Sequence, residues 1–153
     1  MPETGTPAPD FTLPCTIGGE VTLSALRPQK VVLYFYPRDD TPGCTREAID
    51  FTEHAAQFAA ADTVVIGVSR DTLSKHEKFR DKHGLGVMLA ADTEGTVCAD
   101  YGVWVEKKMY GKTSMGIERA TFLIGSDGRI AQVWRKVKVD GHVAQVLEAA
   151  RAL

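Results

Sequence analysis

No apolar run in this 153-residue sequence is long enough to cross a bilayer; the longest, Val31 to Tyr36 and Val64 to Val68, are strand-sized. Neither sign of charge is in marked excess, with eighteen Lys and Arg against twenty Asp and Glu and a formal net charge of −2. A general nucleic-acid binder shows a basic excess or a basic face, so that class is set aside, as is a membrane role. The opening Met-Pro-Glu-Thr-Gly carries neither the basic residues nor the apolar segment of a secretion signal, and a cytoplasmic location is the default expectation. Cysteine is scarce: Cys15, Cys44 and Cys98 are odd in number and far apart. That argues against a disulfide framework and for a reducing compartment. His54, His76, His83 and His142 are scattered, and His76 to His83 would span about 10.5 Å of helix, too far for one ion. A metal site is not expected, and all four histidines read as surface residues. No glycine-rich phosphate loop and no serine nucleophile elbow occurs.

What is present is an ordinary globular composition, 44% hydrophobic and 25% charged. The scaling of surface with mass gives about 7,600 Å² folded against about 24,000 Å² unfolded, so roughly 68% of the surface can be buried without disulfide or metal. One domain over residues 1–153 is the expectation. Three prolines in the first ten residues predict a loop or flap leading into Phe11. Asp10 to Leu13 and Glu20 to Leu23 flank Gly18-Gly19 and predict two short strands joined by a turn. Val31 to Tyr36 reads as a strand buried on both faces, stopped by Pro37. From Thr41 the period changes: Cys44, Ala48, Phe51, Ala55 and Phe58 recur at helical spacing and predict one amphipathic helix, capped by Asp40 or Thr41 with Pro42 in its first turn.

Strands follow at Thr63–Val68 and Val87–Ala90, helices at Asp71–His83 and Thr93–Tyr101. A hairpin at Ala120–Ile124 and Ile130–Trp134, turning through Ser126-Asp127-Gly128, precedes a final helix at Gly141–Leu153. Strands alternating with helices imply a mostly parallel sheet covered on both faces, with an antiparallel portion from the late hairpin. Lys107-Lys108 and Arg135-Lys136-Val137-Lys138 read as solvated edges, and Trp104 and Trp134 as core packing.

The stretch Tyr34 to Thr45 carries the chemistry. It sets Cys44 in the first turn of a helix that follows a central strand. Unpaired N–H groups and the helix dipole at that position favour a thiolate. The position also lies at the C-terminal end of a strand, where open α/β sheets bind ligands. Thr41, three residues earlier, can reach the sulfur or a bound oxygen. A cysteine taken at random is most often a small buried hydrophobe. Pro, Thr, Pro, Gly and Cys crowded into one strand-to-helix turn do nothing that a core position requires.

The pattern Pro37-x-x-x-Thr41-x-x-Cys44 resembles the active-site signature of peroxiredoxins, and Phe35 to Thr45 resembles the Q-type subgroup, the bacterioferritin comigratory proteins. Ala8–Phe11, Tyr101–Trp104 and Gly116–Ile124 are similar to that subgroup in the same order along nearly the whole chain. The resemblance implies a thioredoxin-like fold, a central mixed β-sheet flanked by helices with an N-terminal β-hairpin. It implies a thiol-dependent peroxidase acting on hydrogen peroxide and organic hydroperoxides without metal or organic cofactor. Cys44 would be the peroxidatic nucleophile, oxidised to a sulfenic acid. Thr41, Gly43 and Arg119 would bind the substrate, and Pro37 would shield the thiolate. Glu47 would orient the arginine, or else lie on a solvated face.

The subgroup's resolving cysteine falls at Ile49 or around Phe79-Arg80-Asp81, and neither place holds a cysteine here. The expectation is a one-cysteine, monomeric enzyme reduced by an external thiol: thioredoxin by family analogy, with glutaredoxin or a small thiol as alternatives. Resolution by Cys98 after local unfolding is the second reading, Cys98 otherwise being a packing residue and Cys15 structural. Thioredoxin-type disulfide exchange needs Cys-x-x-Cys, and Thr41 stands at its first position. A binding or chaperone module that kept the fold and lost catalysis is the reading from a different class; the presence of Cys44, Thr41 and Arg119 weighs against it.

Overall fold

The computed structural model describes residues 1–153. In chain order it runs β1 (Thr12–Cys15), β2 (Gly19–Thr22), a 3-10 turn (Leu23–Leu26), β3 (Lys30–Phe35), α1 (Pro42–Glu53), α2 (Ala55–Ala60) and β4 (Thr63–Ser69). Then come α3 (Leu73–His83), β5 (Met88–Ala91), α4 (Thr96–Asp100), β6 (Trp104–Met109), β7 (Lys112–Ile117), β8 (Ala120–Ile124), β9 (Ile130–Trp134) and α5 (His142–Ala152). Seven strands form one mixed sheet in the order β2-β1-β5-β4-β3-β8-β9, while β6 and β7 make a separate ribbon. The sheet flanked by helices, with its N-terminal hairpin, is the thioredoxin-like arrangement expected. Its accessible surface is 7701 Å².

β3 lies in the middle because its neighbours bury both its faces. It runs parallel to β4, with Val32 opposite Val65, and antiparallel to β8, with Phe35 opposite Ala120. Side chains alternate across a strand, so the sheet divides two cores. Val31, Leu33 and Phe35 pack with Cys15, Cys98, Tyr101 and Phe122 on one face. Val32, Tyr34 and Tyr36 pack with Cys44, Ala48, Phe51, Phe79 and Leu147 on the other.

Five expectations need correction. The sheet is not mostly parallel: only β3–β4 and β4–β5 pair parallel, and its other four neighbour pairs are antiparallel. The helix from Pro42 breaks at His54, whose N–H is shared between the Asp50 and Phe51 carbonyls. The bend keeps Phe51 and Phe58 in the core and leaves Ala55 exposed, so the apolar face is not continuous. The first residues are stitched down: Gly5 N–H donates to the Ile130 carbonyl at 2.7 Å and Ala8 N–H to Gly128 at 2.9 Å, covering the edge beyond β9. The ribbon β6–β7 is an addition to the expected elements, since most of its residues are exposed and carry no strand-like alternation. Two histidines are not on the surface. His76 is fully buried and His142 nearly so.

Candidate active site

Cys44 sits in the first turn of α1 with its side chain turned into the core beneath it, 2% exposed. Pro42 occupies the turn's first position, where its missing N–H is harmless. The N–H groups of Gly43 and Cys44 have no intrahelical acceptor and stay available. Ala48 and Phe51, one and two turns on, hold the helix against the sheet. Phe51 stacks on Tyr34 with ring centroids 4.6 Å apart, a burial that contributes about 2–3 kcal/mol.

Arg119 reaches this turn through strand register. Phe35 opposite Ala120 puts the residue before β8 beside the end of β3, where the loop to α1 begins. Its Nη2 donates to Cys44 Sγ at 3.3 Å and its Nη1 to Glu47 Oε1 at 2.7 Å. A side chain at Gly43 would lie 3.2 Å from that Nη2, so the glycine gives the guanidinium its room. Burial opposes the charge of Arg119, but Glu47 and Cys44 more than offset it and hold the group above its ordinary value. Glu47 is fully buried, which excludes the solvated-face alternative, and its Oε2 has no hydrogen-bond partner. Burial pushes its carboxyl up to about 7 although Arg119 pulls the other way.

The remaining motif residues are placed differently. The Thr41 hydroxyl donates to the Arg38 carbonyl at 3.0 Å rather than to the sulfur, and no side-chain bond caps α1. That leaves its oxygen lone pairs free to accept. Pro37 is exposed and forms part of the wall of an open cleft beside Lys107 and Trp104. Lys107 is half-buried rather than a solvated edge. Cys15 and Cys98 are buried free thiols in the core on the far side of the sheet from Cys44. Burial, with Asp92 beside it, pushes the Cys98 thiol well above its ordinary value.

A group of buried polar residues that the motif does not announce fixes the loop before α1. Asp39 Oδ2 lies 2.7 Å from His76 Nδ1, and Asp39 Oδ1 accepts from the Tyr36 hydroxyl at 2.5 Å. His76 Nε2 faces the Ala90 carbonyl at 3.0 Å, which can only accept, so both ring nitrogens have a partner. Asp39 N–H donates to Asp71 at 2.8 Å, and Asp40 binds Lys82 at 2.6 Å and His83 at 2.8 Å. The available signal was the spacing of His76, Phe79 and His83, which puts them on one face of α3.

Comparison with known proteins agrees with this geometry. Residues 4–133 match the model of the AhpC/TSA family. The chain is 48% identical over 149 residues to peroxiredoxin Bcp of Bacillus subtilis, covering 97% of this chain and 95% of that protein. Among solved structures, it superposes on the bacterioferritin comigratory protein of Xanthomonas campestris, studied for alkyl peroxide reduction, with a TM-score of 0.88 and 42% identity over 93% of this chain and 90% of that one. It superposes on a mutant PrxQ of Xylella fastidiosa with a TM-score of 0.92 and 38% identity over 98% and 96% of the two chains. A helix-start cysteine held by a half-buried arginine thus belongs to a chain similar to peroxiredoxins along nearly its whole length, and this protein is a member of the AhpC/TSA family, a thiol-dependent peroxidase of the Q-type peroxiredoxin subgroup.

Proposed function

We propose that Cys44 is the peroxidatic residue of a one-cysteine mechanism, acting on hydrogen peroxide and on organic hydroperoxides such as the alkyl peroxides reduced by the Xanthomonas relative. The Cys44 thiolate attacks the nearer peroxide oxygen, the O–O bond breaks, and the alkoxide or hydroxide leaves and takes up a proton. The products are a Cys44 sulfenic acid and an alcohol or water. The observation that carries this reading is the 3.3 Å donation from Arg119 to Sγ, which is strongest when sulfur is an anion. The same fork and the free N–H groups of Gly43 and Cys44 supply donors for charge developing on the leaving oxygen. Thr41, its own proton engaged with Arg38, accepts the peroxide O–H. Pro37 limits solvent access from the cleft side.

An external thiol then returns the sulfenic acid to the thiol, thioredoxin being one such reductant by family analogy. This is favoured over resolution by Cys98, because Cys98 and Cys15 pack in the core across the sheet from Cys44. The reading takes the chain as a single cytoplasmic domain acting as a monomer. No helix is long and apolar enough to cross a membrane. One equivalent of hydrogen peroxide, followed by intact-mass analysis and a non-reducing peptide map, tests it. One added oxygen on Cys44, and loss of peroxide consumption in Cys44→Ser, are expected. A Cys44–Cys98 or Cys44–Cys15 peptide, or undiminished consumption by the variant, would overturn it.

A further inference from the structure

The cleft walled by Pro37 and Trp104 has a volume of about 460 Å³ and gathers four cationic side chains, Arg38, Arg70, Lys75 and Lys107. None of the four forms an ion pair within the protein. The acids nearby offset only part of that charge. Asp71, in the same cleft, accepts from Asp39 N–H at 2.8 Å and Ser69 Oγ at 2.7 Å. Glu118 makes a two-pronged pair with Arg135, both bonds 3.0 Å. Two of the cations are held in place. The Arg70 guanidinium stacks 4.6 Å over the Trp104 ring. Lys107 lies across Gly116, where a Cβ would approach its Cδ to 3.1 Å. Lys107 is also within electrostatic reach of the Cys44 sulfur and Arg119; burial and then Arg119 hold its ammonium below the ordinary value. With one carboxylate, Asp71, against four cations, the cleft keeps an excess of positive charge beside the Cys44 turn, where hydrogen peroxide, being neutral, gains nothing from it.

We propose that this cleft is a binding subsite for the carboxylates of a small acidic thiol, which it holds while that thiol reduces the Cys44 sulfenic acid. The inference rests on Cys44 being the peroxidatic residue and names the class of reductant. The reductant must come from outside, as both other thiols lie in the opposite core, and it reacts as a thiolate, itself an anion. Its sulfur bonds to Cys44 Sγ, the S–O bond breaks, and the departing hydroxide takes up a proton to leave as water. A second thiol attacks the mixed disulfide, releasing the small disulfide and restoring Cys44. Two thiols are oxidised and one sulfenic acid is reduced.

The test takes the full chain, oxidised with one equivalent of hydrogen peroxide, and follows its reduction by mercaptosuccinate or by neutral monothioglycerol, with rates expressed per thiolate. Electrostatic steering of this kind gives a preference for mercaptosuccinate of about tenfold or more at low ionic strength, shrinking as salt rises. In the doubly substituted Lys75→Gln/Lys107→Gln the preference falls to within about twofold, whereas Arg151→Gln, at the end of α5, retains it. The neutral thiol reports folding and reactivity in each variant. Titration with succinate, which has no thiol, should shift the Trp104 indole NMR signal in the parent and not in the double variant. A preference near one in the parent, or one that the double substitution leaves intact, overturns the subsite. So does a double variant impaired toward a carboxylated hydroperoxide but not toward mercaptosuccinate, for the cleft would then serve the oxidant. If Cys44 fails to oxidise while succinate still shifts Trp104, the peroxidatic reading falls and the anion subsite stands. Absence of both the oxidation and the shift removes both.

Discussion

Arg119 does two jobs with one planar group. Nη1 compensates the buried Glu47 carboxylate and Nη2 holds the Cys44 sulfur, and the fork's rigid geometry lets one side chain serve both. Lysine has a single ammonium and cannot span the two partners. Arg119→Lys is therefore expected to slow oxidation of Cys44 by hydrogen peroxide about 10²–10³-fold, the cost of removing one preorganised donor. Stopped-flow fluorescence of the reduced protein against peroxide concentration measures this directly. A loss smaller than about tenfold would mean that the helix N–H groups alone carry the stabilisation.

The loop from Pro37 to Thr41 joins β3 to the helix that carries Cys44, and α3 holds it there. Asp39 binds His76, and Asp40 binds Lys82 and His83, so every turn of α3 from His76 onward grips the loop. The outer contacts are exposed and contribute little. The Asp39–His76 contact is buried, and removing one partner strands the other in a medium that solvates charge poorly. His76→Phe is expected to lower stability by about 3–5 kcal/mol, read as a shift of the urea midpoint. Amide exchange should accelerate over residues 38–44 before it does in β3 or β4. Uniform acceleration across the sheet would instead make His76 a general core residue rather than the anchor of this loop.

Over the whole molecule, two buried groups set opposing responses to pH. Glu47 has its carboxyl raised by burial from 4.5 to about 7. Its stabilising share is fully present below 4.5 and is lost as pH rises towards 7, because the folded state holds the proton more tightly than the unfolded chain. The loss is on the order of 3 kcal/mol. His142, lowered by burial and then by Arg119 from 6.5 to about 4, behaves in reverse. Its share is present above 6.5 and is lost as pH falls towards 4. Between 4.5 and 6.5 the two slopes oppose each other. Urea midpoints across that range should climb with pH in Glu47→Gln and fall with pH in His142→Asn, the parent lying between them. Slopes of the same sign in both variants would contradict the assignment.

The elements legible in the amino-acid order are those whose signals are local. The run at Val31 to Tyr36 announces a strand buried on both faces, and Pro42 followed by helical spacing announces the start of α1. The class of chemistry was equally local, since proline, glycine and cysteine at a strand-to-helix turn have few structural uses. The ribbon at residues 104–117 stayed unread because exposure on most of its surface erases the alternation that marks a strand. Its turn, at Tyr110 and Gly111, takes two left-handed residues, of which the tyrosine gives no warning. The buried histidines have no local signal because the groups that partner them come from other elements. Asp39 and the Ala90 carbonyl, which satisfy His76, lie 37 and 14 residues away.

Cys44 and Arg119 are 75 residues apart and meet because β8 pairs antiparallel with β3 in a register that sets Phe35 opposite Ala120. A shift of one residue would have turned β8 inside out and left the sulfur without its guanidinium. The chain order thus sufficed for the kind of fold and for singling out Cys44 as the residue proposed to react. Which groups surround that residue, and which thiols are walled off from it, depended on register and on the face of the sheet, because pairing and burial act between segments that share no neighbourhood in sequence.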